Sequence, residues 1–214
     1  MVQSHGKYQG KKIMIEKPLE IDLWKEHSSI LGIDEAGRGP IAGPLVVAGA
    51  CFEKGYTNAE IDDSKKLSEK KRERLFEQIQ KDAIWFQIEV IDEETIDQLN
   101  IYQATKQAME RIASCAPCTY ILSDAMPLAI EKEYEAIVKG DQKSISIAAA
   151  SILAKVTRDH IMLELDQQYP AYGFKKHKGY PTKQHLEALH QYGVLPCHRK
   201  SYGPVSKELE IRLF

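Results

Sequence analysis

The stretch ILGIDEAGRGPIAGPLVV, residues 30–47, constrains the chain more than any other. An apolar run ends on two adjacent carboxylates, Asp34 and Glu35; three glycines, an arginine and two prolines follow before a second apolar run begins. Two such runs joined by a short glycine-rich connection predict a β-hairpin. The acids then stand at the end of a buried strand, where burial and mutual repulsion both disfavour their ionisation. A positive charge belongs between them. The loop G-R-G-P-I-A-G does not fit G-x-G-x-x-G and leads into a strand, and no G-K-[ST] follows, so neither a dinucleotide fingerprint nor a P-loop is present. What Gly37 and Gly39 permit is close approach of a ligand to bare backbone N–H and C=O groups. Those groups can meet a sugar hydroxyl, which distinguishes RNA from DNA.

Further strands are predicted over AIWFQIEVI, CTYILSD and EAIVKGD, the last two ending on Asp124 and near Asp141. LSEKKRERLFEQIQKD is amphipathic, with Leu67, Leu75, Phe76 and Ile79 on one stripe and Ser68 as N-cap. DEETIDQLNIYQATKQAMERIAS predicts a short helix and then a longer one. SISIAAASILAKVTRDHIMLELDQQY is the longest helix, stopped by Pro170, and KQHLEALHQY is opened by Pro181 and Thr182 and ended by Gly193. The order β-β-α-β-α-β-β-α-α predicts an α/β fold with a mixed central sheet flanked by helices and a helical C-terminal region. Residues 1–26 read as a loosely attached N-terminal arm, residues 27–205 as one sizeable domain, and residues 206–214 as a C-terminal tail.

Asp34, Glu35, Asp124 and Asp141 thus gather at strand ends, where loops from separated segments of an open α/β sheet converge on ligands. Four carboxylates there need cations, and hard divalent ions, Mg²⁺ or Mn²⁺, supply them through oxygen ligands. Two such ions, roughly 4 Å apart, clamp the attacking and leaving oxygens of a phosphodiester. Asp141, just before the long helix, competes for a capping role. Asp159 lies mid-helix beside Arg158 and reads as half of a structural ion pair.

The formal net charge of −2 does not advertise a nucleic-acid partner; local patches could track phosphates, although a single basic helix face is more often solvated surface. Residues 64–74 carry six Lys/Arg against two Glu; residues 175–200 carry six against one, plus four of the seven histidines. Cys115 and Cys118 form a C-A-P-C pair at the C-terminal end of a predicted helix, the wrong end to lower a thiol pKa. A zinc site would need two more ligands, for which Cys197 with His198 is the candidate pair, and the expectation is structural or incidental cysteines. No run approaches the length of a membrane span and no secretory signal is evident, so the expectation is a cytoplasmic monomer without a membrane partner.

In GIDEAGRGPIAGPLVVA, DDSKKLSEKKRE, NIYQATKQAM, SDAM, KGDQKSISIAAASILAKVTRD, YPAYGFKKHKGYPTKQHLEAL and LPCHRKSYGPV, in this order, the chain resembles the type 2 ribonucleases H, the bacterial ribonuclease HII branch in particular. The resemblance implies a ribonuclease-H-like fold and metal-dependent hydrolysis of RNA paired with DNA. It implies cleavage 5′ of single ribonucleotides embedded in duplex DNA, as in ribonucleotide excision repair, leaving a 3′-hydroxyl and a 5′-phosphate. Asp34, Glu35 and Asp124 match the metal-binding acids and Asp141 the fourth carboxylate. Gly37, Arg38 and Gly39 match the loop that recognises the 2′-hydroxyl, and Tyr180 the ring that packs on the junction deoxyribose. Lys65 and Lys66 lie in the segment expected at backbone phosphates. Many members carry Asp-Gly where this chain has Asp124-Ala125, so the backbone there is expected to suit alanine. Leu213 and Phe214 resemble peptides that dock on bacterial sliding clamps, with Glu210 in place of the usual glutamine. The alternatives are a ribonuclease HIII type, which carries a larger N-terminal platform, and a nucleic-acid-binding module with a decayed site; four acids and an intact G-R-G loop speak against decay.

Overall fold

The structure, a computed structural model, describes residues 18–211. Five strands form one mixed sheet in the order β3-β2-β1-β4-β5: β1 is Ile30–Ala36, β2 Leu45–Phe52, β3 Trp85–Ile91, β4 Tyr120–Asp124 and β5 Glu133–Ile137. The β1–β2 hairpin is antiparallel, with Ile30 opposite Phe52 and Ala36 opposite Val46. β4 runs parallel to β1 and β5 parallel to β4. Every residue of β2 is buried, because its alternating side chains feed two cores. Leu45, Val47 and Cys51 pack with Ala108, Met109 and Ile112 of α4 (Ile101–Cys115). Val46, Ala48 and Ala50 pack with Leu75 and Ile79 of α2 (Glu69–Asp82) and with Ala149 and Ile152 of α5 (Ile145–Gln168). The result is helix, sheet, helix, with α3 (Glu93–Leu99) leading into α4.

The helix signals work as their chemistry requires. Ser68 accepts the N–H of Lys71, Thr182 accepts that of His185, and Gly193 at φ 95° ends α7 (Lys183–Tyr192). α5 lies so close to β1 that a Cβ on Gly32 would sit 2.1 Å from the carbonyl carbon of Ser146. Glycine is the residue that permits that approach.

Several expectations change. The last residues of the N-terminal arm are not loosely attached: Glu20, in the short helix α1 (Glu20–Leu23), is fully buried and accepts hydrogen bonds from Ser144 Oγ and from the N–H groups of Ile145 and Ser146. A carboxylate at the N-terminus of α5 complements the helix dipole and its unpaired N–H groups. Residues 1–17 lie outside the described residues. The strand expected over 135–141 is shifted to Glu133–Ile137, and Asp141 sits beyond it in a 3₁₀ turn, Gly140–Gln142. The boundary at residue 206 falls inside a helix, α8 (Gly203–Ile211), which follows the single-turn α6 (Phe174–His177) and α7 in the C-terminal region. No described helix is long and apolar enough to cross a membrane.

Candidate active site

Parallel pairing of β1 with β4 brings the acids together. Ile33 stands opposite Ser123, so Asp34 and Asp124 are the next residues out on two neighbouring strands. Asp124 Oδ1 accepts the N–H of Gly140 at 2.8 Å, which draws in the turn carrying Asp141. The helix cap that Asp141 competed for is supplied by Ser144, whose Oγ accepts the N–H of Ile147 at 3.1 Å. A cleft of about 350 Å³ opens over these strand ends, lined by Asp34, Glu35, Asp124, the Gly37–Gly39 loop and Tyr180. From α5 it gains Ser151, Lys155 and Arg158, and from the turn ahead of α2 Ser64 and Lys65. Asp141 stands just behind this lining, buried, with Oδ2 3.8 Å from Lys65 Nζ.

The acidic end carries more negative charge than its neighbours offset. Burial, then Glu35 and Asp124, push the Asp34 carboxyl well above its ordinary range. Burial raises Glu35 as well, against the opposing pull of Arg38, whose Nη1 lies 3.6 Å from Oε1. Burial, Asp63 and Asp124 raise Asp141. Partial burial works against the charge of Lys65, yet Asp141, Asp63, Asp34 and Asp124 together hold its pKa above the ordinary value. The donors are all oxygen, as a hard divalent cation requires. Among the described residues no three acidic, imidazole or thiol groups already enclose an ion. The carboxylates therefore form an open cradle, and the charge they share fits a divalent metal. Cys197 and His198 are buried, and both nitrogens of the His198 ring are taken up by protein groups, Leu195 N–H and His185.

The glycine loop is held from behind by two buried guanidinium groups that the sequence reading did not connect to it. Arg158 donates to the carbonyls of Pro44, Ala42 and Lys178 at 2.9, 3.1 and 2.9 Å. Arg199 donates to those of Gly37, Gly43 and Arg38 at 2.7, 2.8 and 3.2 Å. The loop's carbonyls are thus turned inward, and the N–H groups of Gly37, Arg38 and Gly39 have no protein acceptor among the described residues. Gly37, at φ 102°, has no room for a Cβ, which would lie 2.2 Å from Arg158 Nε. Tyr180 is 48% exposed. Its ring stands 3.2 Å from where a Cβ on Gly39 would be.

Other expected residues fall elsewhere. Lys66 turns away to Asp62 (3.4 Å) and Asp63 (4.0 Å) and does not line the cleft. Asp159 is structural as expected, but its partners are Lys155 at 2.6 Å and Arg72 at 3.9 Å rather than Arg158. Three of the four histidines assigned to a basic patch, His177, His185 and His198, are buried. Ala125 adopts φ 52°, a left-handed conformation that disfavours alanine, so the expectation of a backbone suited to it fails. A signal for the missed residues did exist. Ser151, Lys155 and Arg158 recur at helical spacing along a helix otherwise rich in alanine, so one face of α5 carries the polar chemistry.

Both the sequence and the fold have known relatives. The profile of the family described as Ribonuclease HII matches residues 31–205. A protein named Ribonuclease HII from Acholeplasma laidlawii is 52% identical over 188 residues, 87% of this chain and 93% of its own. Among solved structures, ribonuclease H2 from Pyrococcus horikoshii OT3 superposes with TM-score 0.77 at 26% identity, covering 86% of this chain and 99% of that one. The RNase HII of a PCNA:RNase HII complex from Archaeoglobus fulgidus does so with TM-score 0.71 at 27% identity, covering 81% and 94%.

Proposed function

The chain belongs to the ribonuclease HII family, and from that premise we propose a divalent-metal-dependent endoribonuclease that hydrolyses the RNA strand of RNA–DNA hybrids and cuts 5′ of single ribonucleotides in duplex DNA. The observation that carries this reading is one cleft that joins a carboxylate cluster only partly offset by Lys65 and Arg38 to a loop presenting free N–H groups. Asp34, Glu35 and Asp124 would hold Mg²⁺ or Mn²⁺, with Asp141 completing the acidic set; two such ions supply activation of the attacking water and stabilisation of the leaving O3′.

The remaining residues bind and orient. The N–H groups of Gly37, Arg38 and Gly39 meet the 2′-hydroxyl, and a fixed array of donors discriminates by leaving polar groups unpaired when that hydroxyl is missing. Tyr180 packs its exposed ring against the neighbouring deoxyribose. Lys65, with a largely exposed ammonium, tracks a backbone phosphate while screening Asp141. The products carry 3′-hydroxyl and 5′-phosphate ends.

The test is cleavage of a duplex with one ribonucleotide, in Mg²⁺, Mn²⁺ or EDTA, by wild type and Asp34→Asn. Metal-dependent cutting 5′ of the ribonucleotide by wild type alone is expected. Cutting in EDTA, or a fully active variant, would overturn the assignment, and a hybrid-only activity would favour the HIII type. The PCNA complex of the Archaeoglobus fulgidus relative supports a partner reading, in which the C-terminal residues of this chain dock on a sliding clamp. Leu213 and Phe214 lie outside the described residues. Clamp binding is expected to vanish when the last five residues are deleted, and unchanged binding ends that reading.

A further inference from the structure

Three buried imidazoles stand behind Tyr180, and backbone groups decide which nitrogen of each carries the proton. His198 accepts the N–H of Leu195 at Nδ1 (3.0 Å), so its proton is on Nε2 and is donated to His185 Nε2 at 3.2 Å. His185 therefore carries its proton on Nδ1 and donates it to the Tyr180 carbonyl at 2.9 Å. His177 accepts the N–H of Gly179 at Nδ1 (3.3 Å) and donates from Nε2 to the Tyr172 carbonyl (2.9 Å). The His177 and His185 rings stack, with centroids 4.4 Å apart. The Tyr180 N–H donates to the main-chain carbonyl of His177 at 2.9 Å, so the His177 backbone and the His185 ring hold the peptide groups on either side of Tyr180.

This relay and the arginine clamp share one segment. His198 precedes Arg199, which holds the glycine loop, and the Arg199 N–H donates to the Ile41 carbonyl at 2.9 Å. Ile41 N–H in turn donates to the Gly179 carbonyl at 2.9 Å. Residues 178–182 belong to no helix or strand, and Lys178 and Gly179 both lie at positive φ. Apart from His185, the Tyr180 carbonyl is bonded only by Thr182 N–H among the described residues. Burial lowers His185 and His198 to about 4, so both rings are neutral in a neutral solution.

We infer that His185, oriented by His198, is a positioning residue that sets the gap between the Tyr180 ring and the Gly39 loop, and through it the fit of the sugar at the junction. The inference rests on the reading of Tyr180 as the ring packed on that sugar. It separates donor placement from ring packing, since an asparagine amide reaches the position of Nδ1 and a glutamine amide that of Nε2. His185→Asn keeps a donor for the Tyr180 carbonyl; His185→Gln satisfies His198 and leaves that carbonyl short of its donor.

The experiment measures KM and kcat with wild type, His185→Asn, His185→Gln and Tyr180→Ala on a single-ribonucleotide duplex in Mn²⁺. A KM about tenfold higher in His185→Gln is expected, a change of about 1.4 kcal/mol and the size of one net hydrogen bond. His185→Asn should stay close to wild type, and kcat should move less than KM. Equal KM values for the two His185 variants overturn the relay. An unchanged KM in Tyr180→Ala instead overturns the reading of Tyr180, and the inference with it. Nitrogen-15 spectra of the wild-type imidazoles need no variant to fold: they should show Nδ1–H at His185 and Nε2–H at His177 and His198. An Nε2–H or protonated His185 at neutral pH would also overturn it.

Discussion

The two ends of the cleft solve opposite problems. At the acidic end Asp34, Glu35, Asp124 and Asp141 crowd together, and the nearest cations, Lys65 and Arg38, stand at 3.8 and 3.6 Å as loose neighbours. At the loop end Arg158 and Arg199 spend their donors on backbone carbonyls, and three histidines lock into a fixed set of tautomers. The first region carries charge that calls for an added cation; the second is fixed by its own protein partners and leaves three loop N–H groups open. The acidic end is therefore held under an electrostatic tension that a bound cation would relieve, while the loop end is preorganised, so a ligand meeting it would spend no binding energy on ordering it.

The sharpest way to break that contrast is Asp34→Asn. Cleavage should fall on the order of a thousandfold or more. The metal-free variant should nonetheless melt above wild type, by about 1 kcal/mol, because one buried like charge is gone. Added Mn²⁺ should raise the melting temperature of wild type far more than that of the variant. A variant less stable than metal-free wild type would refute the tension. Next comes Arg199→Met, expected to cost about 3 kcal/mol in urea denaturation, since several buried carbonyls lose their donor. Metal should not restore it; a loss within about 0.5 kcal/mol, typical of a neutral surface site, would show that the loop is not held from behind.

A smaller effect is a pH dependence of opposite sign in the two regions. His185 and His198 fall from 6.5 to about 4 in the folded state, so their stability is present above pH 6.5 and lost as pH falls toward 4. Asp34, Glu35 and Asp141 are raised above ordinary values of 3.8 to 4.5, so in metal-free protein their stability is present below that range and lost as pH rises through the raised values. Melting curves across pH should show the second slope vanish in saturating Mg²⁺ and the first persist. The smallest change expected is from Ala125→Gly, a gain of up to about 1 kcal/mol on relieving φ 52°, read by chemical denaturation. A loss there would show that Ala125 packs better than its backbone suffers.

Much of the acidic end was legible because its signal is local: an apolar strand running straight into two carboxylates. That Asp124 lies beside Asp34 depends on β1 pairing with β4 across about 90 residues, which local periodicity cannot carry. The loop end is harder to read where adjacency in sequence stands in for adjacency in space. Neighbouring helical residues point in different directions, so Arg158 could not serve Asp159, while Lys155, one turn back, does. The histidines between residues 175 and 200 raised the apparent basicity of a patch because composition does not report burial. Residues 203–211 form a helix whose short span and weak amphipathy gave little periodic signal, and Glu20 showed nothing in its own neighbourhood because its partners lie more than 120 residues away.

Gly32 touches neither end of the cleft, yet it governs how they are aligned. With no side chain there, α5 rests on β1 at Ser146, and the helix then runs past Ser151 and Lys155 to Arg158. Twelve residues separate Ser146 from Arg158, about 18 Å of helix at 1.5 Å per residue. The helix is thus a lever arm pivoting on a glycine bearing, and a tilt of about 3° over that length swings the Arg158 end by about 1 Å. A misplacement of that size costs an enzyme on the order of a hundredfold in rate. The registration between the acids and the glycine loop is consequently a matter of tolerance at a missing methyl group, behind the cleft rather than in it.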